Sequence, residues 1–124
     1  MALITIVTAP KPFTDPHIAM IQRNALDSWM KLGPEVEIIV VGQEEGVELA
    51  AKGLPFRHIP EVRRNHFGTP IIRSMVDAAR ESSNSPMLAI VNTDILLLPD
   101  FLITAGSVCE TMKNYLIVSQ RWDL

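Results

Sequence analysis

Cysteine is almost absent from this chain, with Cys109 the single example in 124 residues. A lone thiol excludes an internal disulfide and any metal site built on paired cysteines. Its setting in an apolar-periodic segment reads as a small buried filler. Long hydrophobic runs are missing too, since none approaches the roughly 20 residues that cross a bilayer. The opening "MALITIVTAPKP" has neither a basic n-region nor a small-residue cleavage site. A cytoplasmic protein without a transmembrane segment is therefore expected. Positive charge is also scarce: the net charge is −3, the isoelectric point is near 5.5, and Lys and Arg are scattered except at Arg63-Arg64. Such a chain supplies no field to gather phosphate backbones, so nucleic acid is not an expected partner. His17, His58 and His66 lack the close or paired spacing of a histidine zinc site. A Ser-His-Asp triad could be drawn from Ser74, His66 and Asp94, but no nucleophile elbow supports it.

What is present is a hydrophobic fraction of 48% with 20% charged residues, the balance of a chain that folds. Short runs rich in Ile and Val alternate with segments of helical period, the pattern of a parallel sheet covered by helices. "LITIVT" (3–8), "VEIIVVG" (36–42), "FRHI" (56–59), "MLAIVN" (87–92) and "YLIVS" (115–119) read as strands. Asp15-Pro16 opens a helix with a stripe of Ile18, Ile21, Ala25, Trp29 and Leu32, and Gly33-Pro34 stops it. "EEGVELAAKG" gives a short helix. Thr69-Pro70 predicts the start of another, with Ile71, Ile72, Met75, Val76 and Ala79 facing the core, and Pro99-Asp100 predicts a last one. With no repeats, low-complexity segments or linkers, residues 1–124 are expected to form a single domain. Its predicted class is α/β: a three-layer α/β/α arrangement on a mainly parallel, Rossmann-like sheet of about five strands, joined by right-handed crossovers.

Open parallel sheets bind ligands outside the carboxyl ends of their strands. That directs attention to "VTAPKP", "VVGQEEG" and "VNTD". In "LAIVNTDILLLPDF", Asp94 interrupts apolar sequence where an unpaired buried carboxylate would be expensive. Placed at a strand end it becomes a candidate ligand for Mg2+ or Mn2+, ions that take oxygen donors and are often held by one or two carboxylates with substrate phosphates. The alternative is that Asn92 and Asp94 merely shape a turn. The cations near this edge are Arg63, Arg64 and Arg73. A guanidinium can clamp a diphosphate, or Arg73 can pair with Asp77 one helical turn on.

These stretches, "LITIVTAP", "VEIIVVGQEEG", "NHFGTPIIRSMVDAA" and "MLAIVNTDILLLPDFL", resemble in order and spacing the nucleotide-diphospho-sugar transferases of the GT-A glycosyltransferase fold. The resemblance implies a nucleoside-diphosphate sugar as ligand. It places Thr8, Ala9 and Pro10 in the nucleoside pocket, with Gln43 or Glu44 on the base edge or ribose. It makes Asp94 the last aspartate of the aspartate-any-aspartate metal motif, binding Mn2+ or Mg2+, with Asn92 in the place of the first. Arg73 or Arg63 would take the diphosphate. Asn92 departs from the pattern: an amide oxygen can ligate a metal or a ribose hydroxyl but brings no charge. The acceptor-binding half of such enzymes, which supplies the general base of inverting members, has no counterpart in this sequence. Asp123 is the only late carboxylate, beside Trp122. Glycosyl transfer, non-catalytic binding of a nucleotide or nucleotide sugar, and a fragment of a longer transferase all remain open on this reading, and the apolar surface that loss of a packed half would expose predicts a homo-oligomer.

Overall fold

The computed structural model describes residues 2–120. Strands and helices alternate as β1 (Ile4–Thr8), α1 (Pro16–Met30), β2 (Val36–Val41), α2 (Val47–Ala51), β3 (Phe56–Ile59), α3 (Ile72–Ser82), β4 (Met87–Ile90) and α4 (Pro99–Thr111). The strands of the described residues form one four-stranded sheet in the order β3-β2-β1-β4, parallel at every pairing. Central β1 is buried along its whole length. Its side chains divide between two clusters: Ile6 packs with Ile38, Val40 and the α1 residues Ala25, Leu26 and Trp29, whereas Val7 packs with Ile39, Val41 and the α3 residues Met75 and Ala79. Ile4 and Met87 meet Ala105 of α4 in a third cluster. Apolar side chains on alternate positions with no polar face are what a parallel strand inside a sheet needs. Each fully buried aliphatic contributes about 1.5–3 kcal/mol.

Helix α1 begins as its sequence demands. Asp15 Oδ1 accepts from the amides of His17 at 2.8 Å and Ile18 at 3.2 Å, and Pro16 takes the first helical position. Helix α3 does not begin at Thr69-Pro70. It starts at Ile72, with Ile71 at the cap position and no side-chain cap. The reason is upstream: Asn65 Oδ1 accepts from the amides of Phe67 and Thr69, and Pro70 bridges antiparallel to Arg64, so Thr69-Pro70 is drawn into a hairpin. Ile71 and Ile72 are consequently exposed, and the buried stripe of α3 is Met75 and Ala79.

The expected fifth strand at Tyr115–Ser119 also differs. That segment has no strand pairing among the described residues. Tyr115 packs back toward the Ile4–Met87–Ala105 cluster, while Leu116 and Val118 are 89% and 84% exposed. Strand propensity is largely packing on a half-buried surface, and here the residues after Tyr115 meet none. No helix of the described residues is long and apolar enough to cross a membrane.

Candidate functional site at the carboxyl edge of the sheet

Because the strands are parallel, the ends at Thr8, Val41, Ile59 and Ile90 lie along one edge. The chain steps outward from β1 to β2 to β3, and α3 then returns it to the opposite side of β1. The order reverses between β1 and β4, and the crevice at such a reversal is where open α/β sheets bind ligands.

Thr8 and "NTD" meet at this crevice. The Thr8 hydroxyl donates to the Val91 carbonyl at 2.6 Å and lies 2.5 Å from Thr93 Oγ1. The Ile95 amide donates to the Asn92 carbonyl at 3.3 Å, closing a turn over Asn92–Ile95. Thr93 points into this turn and is buried, while Asn92 and Asp94 face outward and are exposed. Asp94 therefore escapes the desolvation penalty that its apolar flanks suggested. Beyond the turn the chain is fastened to α1: Trp29 Nε1 donates to the Ile95 carbonyl at 2.9 Å, and the Leu97 amide donates to Ser28 Oγ at 3.1 Å. The carboxylate thus stands on a turn held to both β1 and α1.

The loop after β1 is held as firmly. Buried Gln22 accepts from the Lys11 amide at 2.7 Å and donates to the Lys11 carbonyl at 3.0 Å. Pro10 is buried, and Ala9 packs beside Val7 and Ile39. The Phe13 amide donates to the Glu45 carbonyl at 2.8 Å, joining this loop to the one after β2. The join depends on Gly46, which has φ +85° and would place a Cβ 2.8 Å from Phe13 Cβ.

Three predicted residues, Gln43, Glu44 and Arg63, line one cavity of about 640 Å3 with Glu61, Arg64 and Ser74. It opens beside the ends of β2 and β3. Arg64 forms part of its wall, with Nη1 3.1 Å from Glu44 Oε1 and 2.7 Å from the Gly68 carbonyl it donates to. Gly42, at φ +103°, lets that guanidinium approach: a Cβ there would lie 3.0 Å from Arg64 Nη2. His58 Nε2 lies 2.8 Å from the Gly42 carbonyl, and the Arg63 amide donates to Ser74 Oγ at 2.9 Å. The cavity is polar and carries both charge signs.

The structure thus brings Thr8, Asn92 and Asp94 together at one end of the edge and Gln43, Glu44 and Arg63 at the other. Arg73 joins neither group. Its side chain is 90% exposed and sits 4.0 Å from Asp77, a surface pair worth a few tenths of a kcal/mol. Thr93 and Glu61 are site residues that sequence reading did not single out, whereas Arg64 was named among the cations of this edge and Ser74 only in the unsupported triad. The middle position of "NTD" carried no signal of burial. Trp122 and Asp123 lie outside the described residues.

Among the described residues, no group of three or more His, Cys, Asp or Glu side chains is placed to hold a metal. A cation at Asp94 would therefore draw most of its oxygens from a phosphate ligand and water, with the Asn92 amide oxygen as a second protein donor. That donor set suits Mg2+ or Mn2+ and not zinc. No family model, no curated protein and no solved structure matches this chain. The case for function rests on the geometry of the edge.

Proposed function

We propose that the carboxyl edge of the sheet binds a nucleoside-diphosphate sugar, in a cytoplasmic glycosyltransferase-like domain of the GT-A kind. The observation that supports this reading is the joint presence, on one sheet edge, of an anchored turn presenting Asn92 and Asp94 and a polar cavity lined by Gln43, Glu44 and Arg63. The ends of β4 and β2 are two strand spacings apart, about 10 Å, a span that an extended nucleoside diphosphate can bridge.

In this assignment the base and ribose occupy the cavity against Gln43 and Glu44, while Ala9 and Pro10, which do not line it, belong to the neighbouring loop after β1. Arg63 meets the diphosphate from the cavity side. Asp94 and Asn92 hold Mg2+ or Mn2+ at the crevice. When bound, the ion neutralises charge on the diphosphate as it leaves the sugar. Arg73 serves only if α3 brings it inward, so Arg63 is the better-placed cation. A further strand beside β4, a complete three-layer packing and a homo-oligomer belong to the same proposal. Binding without transfer is the second reading, and Asn92 favours it: a neutral amide in an acid's place leaves the ion more dependent on substrate phosphates.

Thermal melting with UDP, GDP and their sugars, with and without Mn2+, tests the assignment. A ligand at about a hundred times its dissociation constant adds roughly 2.7 kcal/mol of stability. Asp94→Ala is expected to abolish the metal-dependent part of the shift while leaving a smaller, metal-independent part. If no nucleotide moves the melt, or if Asp94→Ala responds to Mn2+ as the parent does, the assignment fails. A shift without hydrolysis or transfer of the sugar selects the binding reading.

A further inference from the structure

Between β3 and α3 the chain makes an excursion that neither the crevice nor the cavity fully uses. Residues 63–73, "RRNHFGTPIIR", carry three arginines and His66 with no aspartate or glutamate, in a protein whose net charge is −3. The excursion is an ordered hairpin. The Asn65 amide donates to the Thr69 carbonyl at 2.9 Å, the Gly68 amide to the Asn65 carbonyl at 3.0 Å, and the Ile71 amide to the Arg63 carbonyl at 2.8 Å. Asn65 Oδ1 takes the Phe67 and Thr69 amides, so the backbone of the tip is satisfied internally.

Among the exposed side chains of this hairpin, beside polar and basic ones, are three large apolar residues. Phe67 at the tip is 80% exposed, Ile72 at its base is 64% exposed, and Ile71 is exposed as well. His66 stacks beside Phe67 with ring centroids 3.9 Å apart. Single exposed hydrophobics need no explanation, but three of them within six residues, flanked by cations, do. Arg64 is committed to Glu44 and Gly68, so the flanking surface charges are Arg63 and Arg73, the latter in a loose, exposed pair with Asp77 at 4.0 Å.

We infer that this hairpin docks on an anionic lipid surface, with Phe67, Ile71 and Ile72 entering the headgroup region and Arg63 and Arg73 resting on the lipid charges. Exposed apolar groups with basic residues close by in the chain suit an anionic interface, and shallow insertion of about 5–10 Å needs no spanning helix. Charge complementarity selects the occupant, because the basic hairpin is the opposite in sign to both the lipid surface and the rest of the chain. A single-stranded nucleic acid would stack on Phe67 but would find no use for Ile71 and Ile72. The apolar part of the docking is separate from the nucleotide proposal, since Phe67 and Ile72 do not line the cavity, whereas Arg63 is common to both. It would, however, hold the cavity mouth, which Arg63 and Arg64 share, close to the bilayer.

Flotation of the chain with phosphatidylcholine vesicles, with and without about one-third phosphatidylglycerol, tests the inference. Binding is expected only to the phosphatidylglycerol vesicles at low salt, and it should weaken as salt rises. The double variant Phe67→Ala/Ile72→Ala should bind at least about tenfold more weakly, and Arg73→Gln about fivefold more weakly. Nucleotide-induced melting shifts in the apolar double variant should match the parent, so the two proposals fail separately. Absence of flotation at low salt, or flotation unchanged in the apolar double variant, overturns the inference. So does retention of a single-stranded oligonucleotide by a chain that ignores the vesicles.

Discussion

Thr8 is a hydroxyl at the end of a fully buried strand, and it is the fastening between the centre of the sheet and the candidate metal turn. Its proton goes to the Val91 carbonyl and its oxygen lies against Thr93 in a fully buried setting, which holds the turn that carries Asp94. Replacing it with valine preserves volume but strands the Thr93 hydroxyl and the Val91 carbonyl in a buried setting, at a cost of about 1–3 kcal/mol. Thr8→Val should therefore lower the midpoint of urea unfolding, and Thr93→Val should do much the same. The double variant should cost less than the sum of the two, with a coupling above about 0.5 kcal/mol, because both changes break one contact. Additive costs would show that the pair is not a single fastening. A β-branched residue ending "LITIVT" marks a strand, and the strand-end rule marks a site. Neither tells that Thr8 and Thr93 both turn inward to meet, because that depends on the β1–β4 pairing across more than eighty residues of sequence.

At the scale of elements, the loops at this edge are set by backbone contacts that side-chain patterns do not announce. Gly46 caps α2 in the left-handed region and allows the Phe13 backbone to reach Glu45. A methyl group there meets both a strained φ and the Phe13 Cβ at 2.8 Å. Gly46→Ala is expected to destabilise the fold by about 1–3 kcal/mol and to weaken nucleotide binding, since the β1 and β2 loops must part. Gly53→Ala is the control. It carries the same backbone cost at φ +77°, but nothing lies within 4 Å of its Cβ, so calorimetry should show a smaller loss for it and nucleotide-induced shifts should be retained. Equal losses would mean that the Phe13 approach is unimportant. The two central strands, β1 and β2, were legible because buried runs rich in Ile and Val admit little else. The start of α3 was not, because Asn65 competes for Thr69 through turn chemistry that periodicity does not register.

For the whole molecule the decisive feature is the asymmetry of its sheet. The outer edge of β3 carries Arg57, paired at 3.8 Å with Glu37, whereas β4 is uncharged along Met87–Ile90 and has no ladder partner on its far side among the described residues. Natural edges are defended by charge, proline or cover, and an uncharged open edge invites another strand. On the same chain, Leu116 and Val118 are exposed in a segment of strand-like composition that has no strand pairing among the described residues. The fifth strand read from "YLIVS" is thus a partner in search of an edge. Sequence composition carries that propensity, but pairing is a property of the neighbour that receives it. Self-association follows as the expected behaviour: sedimentation velocity should show the average mass rising with concentration. Leu116→Lys with Val118→Lys should restore a monomer of unchanged circular dichroism and melting temperature, because two exposed positions contribute little to the monomer's own core. If the double variant associates as the parent does, the interface lies elsewhere. If it unfolds, these residues serve the monomer's own packing, and the open edge of β4 is closed from within the chain.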